Sequence, residues 1–149
     1  MTTFFDRFGQ LHAWVYRHHG RLGRRFAWIP TLMLVSTGRN TGARRESVLV
    51  YADDGNHRVV VASNGGSDRP PGWLFNVRAD PSVEVHVGDE TYPAVAHIVD
   101  AEDPDYARLW KLVNSINGNR YDAYQAKTTR PIPLVALERQ VSDPETSTS

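Results

Sequence analysis

The chain has no cysteine, which excludes disulfides, thiolate metal sites, iron–sulfur clusters and cysteine nucleophiles. Any redox chemistry must therefore come from a bound organic cofactor. Net charge is absent as well, since 17 Lys+Arg balance 17 Asp+Glu over 149 residues. Domains that bind nucleic acid usually carry a strongly basic face, so the balance argues against that class of partner. No window approaches the ~20 apolar residues of a spanning helix, and the N-terminus lacks the apolar stretch of a signal peptide. A cytoplasmic location is the expectation. There is no GxSxG nucleophile elbow. The histidines show no metal-ligand spacing either: His86 and His97, on neighbouring strands, would face one another without a third ligand.

What is present is concentrated. Ser36-Thr-Gly-Arg-Asn-Thr-Gly-Ala-Arg-Arg-Glu-Ser47 sets Arg39, Arg44 and Arg45 beside Gly38 and Gly42, between two apolar runs. Glycines at positive φ would expose backbone N–H groups there, and the guanidinium forks suit phosphate or carboxylate. The segment reads as an anion cradle on a rigid edge; a hairpin turn with solvated arginines is the bland alternative.

With 40% apolar residues the chain is long enough for one domain with a real core. Phe4, Phe8, Leu11 and Val15 recur at helical spacing, and Arg7, Arg17, Arg21, Arg24 and Arg25 accompany them. Residues 1–29 are thus expected to form an amphipathic helix. It would either touch a membrane surface peripherally, at its inner face, or cap the barrel or a dimer interface. From Pro30 the pattern changes to short β-branched strands over 31–37, 46–52, 58–63, 83–87, 91–99 and 132–137, with hairpin signals at Asp53-Asp-Gly-Asn56 and Gly88-Asp89. Such spacing predicts an antiparallel barrel or sandwich. One helix is expected between Pro71 and Asp80, and a second with Asp103 as N-cap and Pro104 at its first position. The Ser/Thr/acidic tail over 140–149 reads as disordered.

In order along the chain stand STGRNTGARR (36–45), Ala62-Ser-Asn-Gly-Gly66, Pro71-Gly-Trp-Leu-Phe-Asn76 with Ala79-Asp-Pro-Ser-Val83, Tyr121-Asp-Ala-Tyr-Gln125 and Arg130-Pro-Ile-Pro133. This series resembles the deazaflavin-dependent nitroreductases, a family of actinobacterial split β-barrel proteins, over roughly residues 30 to 138. The resemblance implies a mainly β fold with flanking helices, a split antiparallel barrel like that of flavin reductases and pyridoxamine oxidases, spanning residues 30–139. It implies a reduced 8-hydroxy-5-deazaflavin coenzyme (coenzyme F-420) and hydride transfer from its C5 to a quinone or a nitroaromatic-like acceptor.

By the same resemblance, Arg39, Asn40, Thr41 and Gly42 bind the phosphate and glutamyl tail, Arg45 and Ser47 lie farther along the groove, and Val48 is a further coenzyme-binding residue. Ser63, Asn64, Gly65 and Gly66 approach the ring, Trp73 packs near it, and Asn76 makes a polar contact. Tyr121, Tyr124 or Ser63 would give the product its proton, with water an equal alternative. The chain departs from the pattern in several places. Many relatives carry lysine at the positions of Asn40 and Asn64, and Val50 stands where some have a tyrosine, which implies weaker coenzyme binding and a wider, less polar acceptor pocket. The partners implied are a hydrophobic small molecule such as a quinone and, in the assembly, either no second copy or one. Two rivals stay open: a flavin mononucleotide-dependent reductase using the same cradle, and a non-catalytic binder of fatty acids or other hydrophobic ligands.

Overall fold

In the computed structural model, residues 29–141 are described. The expected helix over 1–29 and tail over 140–149 lie outside them, apart from residues 29, 140 and 141. Six antiparallel strands close into a barrel: β1 (Thr31–Thr37), β2 (Arg44–Asp54), β3 (His57–Val61), β4 (Ser82–Val87), β5 (Glu90–Val99) and β6 (Leu134–Arg139). The order around the barrel is β1-β2-β3-β6-β5-β4, with β4 pairing back onto β1. Closure leaves no free sheet edge among these strands. Of the antiparallel barrel and sandwich that strand spacing allows, the barrel is the fold observed, as the family resemblance implies.

Alternation along the strands builds the interior. Leu32 and Leu34 of β1, Val60 of β3, Val83 and Val85 of β4, Tyr92, Ala94 and Ala96 of β5 and Val135 and Leu137 of β6 meet in one buried cluster. A helix, α1 (Gly72–Ala79), links β3 to β4 and sends Trp73, Leu74 and Val77 into the same cluster. Trp73 is 1% exposed. The helix therefore stoppers the barrel end at which β1, β3 and β5 finish and β2, β4 and β6 begin. Both loops singled out in the sequence emerge at that end. A second apolar layer covers the outside: α2 (Tyr106–Ser115) and α3 (Arg120–Gln125) lay Leu109, Val113 and Tyr121 over Ala52, Val59, Val61 and Leu134. Arg108 fixes α2 to the β2–β3 hairpin through a two-pronged contact with Asp54, at 2.8 and 3.1 Å.

Several boundaries differ from expectation for local reasons. β3 ends at Val61 because the carbonyls of Ala62 and Ser63 turn to Arg130, whose Nη2 donates to them at 3.3 and 2.9 Å. β6 begins at Leu134 because Pro131 and Pro133 have no N–H for a ladder. α2 starts at Tyr106 rather than after Asp103. The Asp103 carboxylate instead accepts from the Asp105 N–H at 2.9 Å and closes the preceding turn. The hairpins turn where Gly55 and Gly88 supply positive φ.

A short 3₁₀ turn over Asn64–Gly66 follows β3. Gly66 is buried at φ 84°, and a Cβ there would sit 2.6 Å from the Tyr124 carbonyl oxygen, so α3 approaches only because Gly66 has no side chain. Gly65 also has positive φ but faces open space. Gly65→Ala should cost about 1–2 kcal/mol, the left-handed penalty alone, whereas Gly66→Ala should cost at least twice as much because it separates α3 from the turn. Thermal unfolding of the two variants checks this; equal midpoints would mean that α3 is not seated on the turn.

Candidate functional site

The loop over 38–43 is organised by one buried amide. Asn76, 6% exposed on α1, accepts from the Arg39 N–H at 3.1 Å and from Arg39 Nη1 at 3.0 Å, and its Nδ2 faces the Ser36 hydroxyl at 3.4 Å. Arg39 Nη1 also reaches the Gly72 carbonyl at 3.3 Å, and the guanidinium lies 5.0 Å from the centre of the Phe75 ring. Arg39 is thereby folded onto α1. The expectation that Gly38 and Gly42 expose their N–H groups needs correction: Gly42 donates to the Gly38 carbonyl and Gly38 to the Ala43 carbonyl, both at 2.7 Å. Gly38 is buried, and only Gly42 takes positive φ. The loop amides with no partner among the described residues are those of Asn40 and Thr41, at its tip.

The turn after β3 stands at the same barrel end. Arg130 grips it, donating to the carbonyls of Ala62 and Ser63 and, from Nε, to that of Ser67 at 2.8 Å. Asn64 sits at φ 47° and donates from Nδ2 to the Arg69 carbonyl at 2.8 Å. Its own N–H and that of Gly65 have no partner among the described residues, while the Gly66 N–H closes onto the Ser63 carbonyl at 2.9 Å. Of the two glycines expected beside the ring, Gly65 is open and Gly66 is occupied by α3.

The remaining expected residues separate. Arg45 is exposed and pairs in register with Ser36, so it stands at the mouth on the inward-facing side of β2. Ser47, 2% exposed, lies one step deeper opposite Leu34, and its hydroxyl has no partner among the described residues. Val48 is on the other face of β2, opposite Met33, because side chains alternate across a strand. Ser47 and Val48 therefore do not line one groove. Trp73 is core. Tyr121 is buried in the outer layer between Trp110 and Tyr124, with ring centres 6.4 and 6.1 Å away, and burial drives its phenol well above the ordinary tyrosine range. It is a poorer acid for that reason. Tyr124 is half-buried at the edge of the turn, and Ser63 is buried within it.

His86 and His97 do not meet: His86 pairs with Thr91 and contacts its hydroxyl at 3.0 Å, while His97 contacts Glu138 at 2.8 Å. Among the described residues no cluster of three or more His, Cys, Asp and Glu is arranged to hold a metal ion, and no helix is long and apolar enough to cross a membrane.

Charge pairing sorts the basic residues. Arg44, Arg58, Arg78, Arg108 and Arg139 each have a carboxylate within 4 Å. Arg39, Arg45, Arg69, Lys111, Arg120, Lys127 and Arg130 have none among the described residues, and five of these seven, all but Lys111 and Arg120, belong to the segments gathered at the α1 end of the barrel. Arg130 and Lys127 are not legible as site residues from the sequence. Their partners on the turn lie some sixty positions away, and the one available signal is the position of Arg130 immediately before Pro-Ile-Pro.

Asn76 makes the first measurable demand. Asn76→Leu keeps the approximate volume and removes the acceptor, leaving the Arg39 amide unpartnered, at a cost of about 1–3 kcal/mol. Hydrogen exchange at the Arg39 amide should accelerate while exchange in β3 and β6 stays slow. Uniform acceleration across the barrel would instead mean that Asn76 supports the whole fold rather than this loop.

A cradle of cations without carboxylate partners and uncommitted amide groups suits an anionic ligand. The family model for the F420H(2)-dependent quinone reductases matches residues 9–139. An F420H(2)-dependent quinone reductase of Mycobacterium tuberculosis is 47% identical over 133 residues, covering 88% of this chain and 89% of the relative. A solved F420-H2 dependent reductase is 34% identical with a TM-score of 0.66, covering 73% of this chain and 94% of its own. A structure described as a domain-swapped dimer is similar to the same degree, at 34% identity and a TM-score of 0.66, covering 73% of this chain and 80% of its own. The chain belongs to the F420H(2)-dependent quinone reductase family.

Proposed function

We infer that this chain is an oxidoreductase that binds reduced coenzyme F420 and reduces a quinone. The observation that carries this is the family match, which takes in every strand of the barrel and both loops at its α1 end. The residues fit the coenzyme in kind: its phosphodiester and glutamyl carboxylates call for cations and N–H donors, and both stand there without partners among the described residues. When bound, the reduced deazaflavin supplies a hydride from C5 and disfavours one-electron chemistry.

The chain's own residues then have distinct tasks. The tip amides of Asn40 and Thr41, the Arg45 guanidinium and the amides of Asn64 and Gly65 hold the anionic groups. Arg39 and Asn76 keep the loop in shape, and Arg130 does the same for the turn. Trp73 stoppers the barrel behind the site and keeps water from its floor. The proton for the product comes from water or from Tyr124 at the site's edge, because burial makes Tyr121 a weaker acid than solvent-exposed tyrosine. The homodimer is favoured over the monomer by the solved relative described as a domain-swapped dimer. Peripheral membrane contact through the Phe4, Phe8, Leu11 and Val15 face, at the cytoplasmic side, rests on the sequence pattern alone.

Anaerobic mixing of the full chain with reduced coenzyme F420 and menadione tests the reaction. Absorbance of the oxidised coenzyme near about 420 nm should grow at a rate that depends on both protein and quinone. Coenzyme binding without quinone-dependent oxidation would leave a binding protein, and tight flavin mononucleotide binding in place of F420 would favour the flavin rival. Arg45→Ala should weaken coenzyme binding by about 1–3 kcal/mol. Tyr121→Phe should keep kcat within about threefold, well short of the ~100-fold loss expected for a general acid.

A further inference from the structure

Lys127 follows α3 and lies against the turn that the coenzyme is inferred to approach. Its Cδ would be 3.2 Å from a Cβ built on Gly66, and its ammonium is 5.7 Å from the centre of the Tyr124 ring. Tyr124 is held in turn: its carbonyl oxygen abuts Gly66, accepts from the Lys127 N–H at 3.1 Å, and its ring meets Tyr121 edge-on. A flexible four-carbon stem is thereby given a preferred direction, since a cation over an aromatic face is worth ~0.5–1 kcal/mol even at an exposed site. Lys127 has no carboxylate partner among the described residues. The nearest acid in sequence on the facing segment, Asp68, already accepts from the Thr128 hydroxyl at 2.7 Å.

The segment from Gly66 to Gly72 runs from this lysine to the carbonyl that receives Arg39, with exposed Arg69 between them. Lys127, Arg69 and Arg39 thus border the arc from α3 to the β1–β2 loop, with Asp68 as its one acid. The turn over Asn64–Gly66 contributes no charge of its own, because all three residues are neutral, and the Asn64 side-chain amide donates to the Arg69 carbonyl.

We propose that Lys127, reaching over Gly66 from α3, is a contact for an anionic oxygen of the coenzyme, on the phosphodiester or on a glutamyl carboxylate, and supplies the positive charge that Asn64 does not. This rests on the F420 reading above. Lys127 is a binding residue, with no part in the hydride step.

Calorimetric titration separates the outcomes. The full chain and its Lys127→Gln and Lys127→Arg variants are titrated with oxidised coenzyme F420, with the form lacking glutamates, and with the chromophore-ribityl fragment lacking the phosphodiester as well. Lys127→Gln should weaken F420 binding about fivefold to tenfold at low salt, a charged hydrogen bond discounted for exposure, and Lys127→Arg should restore most of it. The difference should shrink as salt screens the pair. The fragment should bind all three proteins alike. A loss shared by the glutamate-free form assigns the phosphodiester; a loss confined to F420 assigns a carboxylate. Unchanged F420 affinity in Lys127→Gln, or an equal loss for the fragment, overturns the proposal. If the unsubstituted chain binds no F420, the functional reading itself falls, an outcome distinct from failure of Lys127 alone.

Discussion

Asn76 on α1 holds the Arg39 amide, the Arg39 guanidinium and the Ser36 hydroxyl at once. Because Asn76 is buried, that carbonyl oxygen cannot turn to water, and leaving the Arg39 amide unmade would cost more than the bond gains. The shape of the β1–β2 loop follows from it. With Arg39 tied down and the Gly38 and Gly42 amides spent within the loop, the tip amides of Asn40 and Thr41 have no partner among the described residues. The helix that supplies Asn76 also supplies Trp73 and Val77 to the barrel core, so the loop is referenced to the buried interior.

A second tether acts across the same barrel end. Arg130 satisfies three carbonyls of the segment after β3, and Gln125 bonds the chain on both sides of Pro131, donating to the Arg130 carbonyl and accepting from the Ile132 amide. The turn over Asn64–Gly66 is thus fixed to α3 and to the approach of β6, while the first loop is fixed to α1. Two preorganised loops with unpaired cations between them lower the ordering cost of binding an anionic ligand.

Much of this was legible from residues alone. β-branched runs with turn signals between them give the antiparallel barrel, and the Trp73 helix stands between Pro71 and Asp80 as its flanking prolines require. The arginine-rich loop was found because its composition is local. What the sequence hid were long-range pairings. Arg39 looks like a free phosphate ligand until Asn76 is seen to hold it. Gly66 looks like a ring contact until the Tyr124 carbonyl is seen against it, and Tyr121 looks like an acid until the Trp110 layer is seen to bury it. Ser47 and Val48 are neighbours in the sequence, but strand alternation sends them to opposite faces. Arg130 stands in the Arg130-Pro-Ile-Pro133 motif, but its task is hidden because its partners are backbone carbonyls, which have no sequence signature.

The central claim is that the coenzyme is held by the two loops at the α1 end of the barrel. Titration of isotope-labelled protein with oxidised coenzyme F420, followed amide by amide by NMR, tests it directly, because glycine hairpins mark the opposite end. The amides of Asn40, Thr41, Asn64 and Gly65 should move most, and those of Gly55 and Gly88 should stay where they are. Shifts concentrated at Gly55 and Gly88, with the Asn40 and Gly65 amides unmoved, would contradict the account.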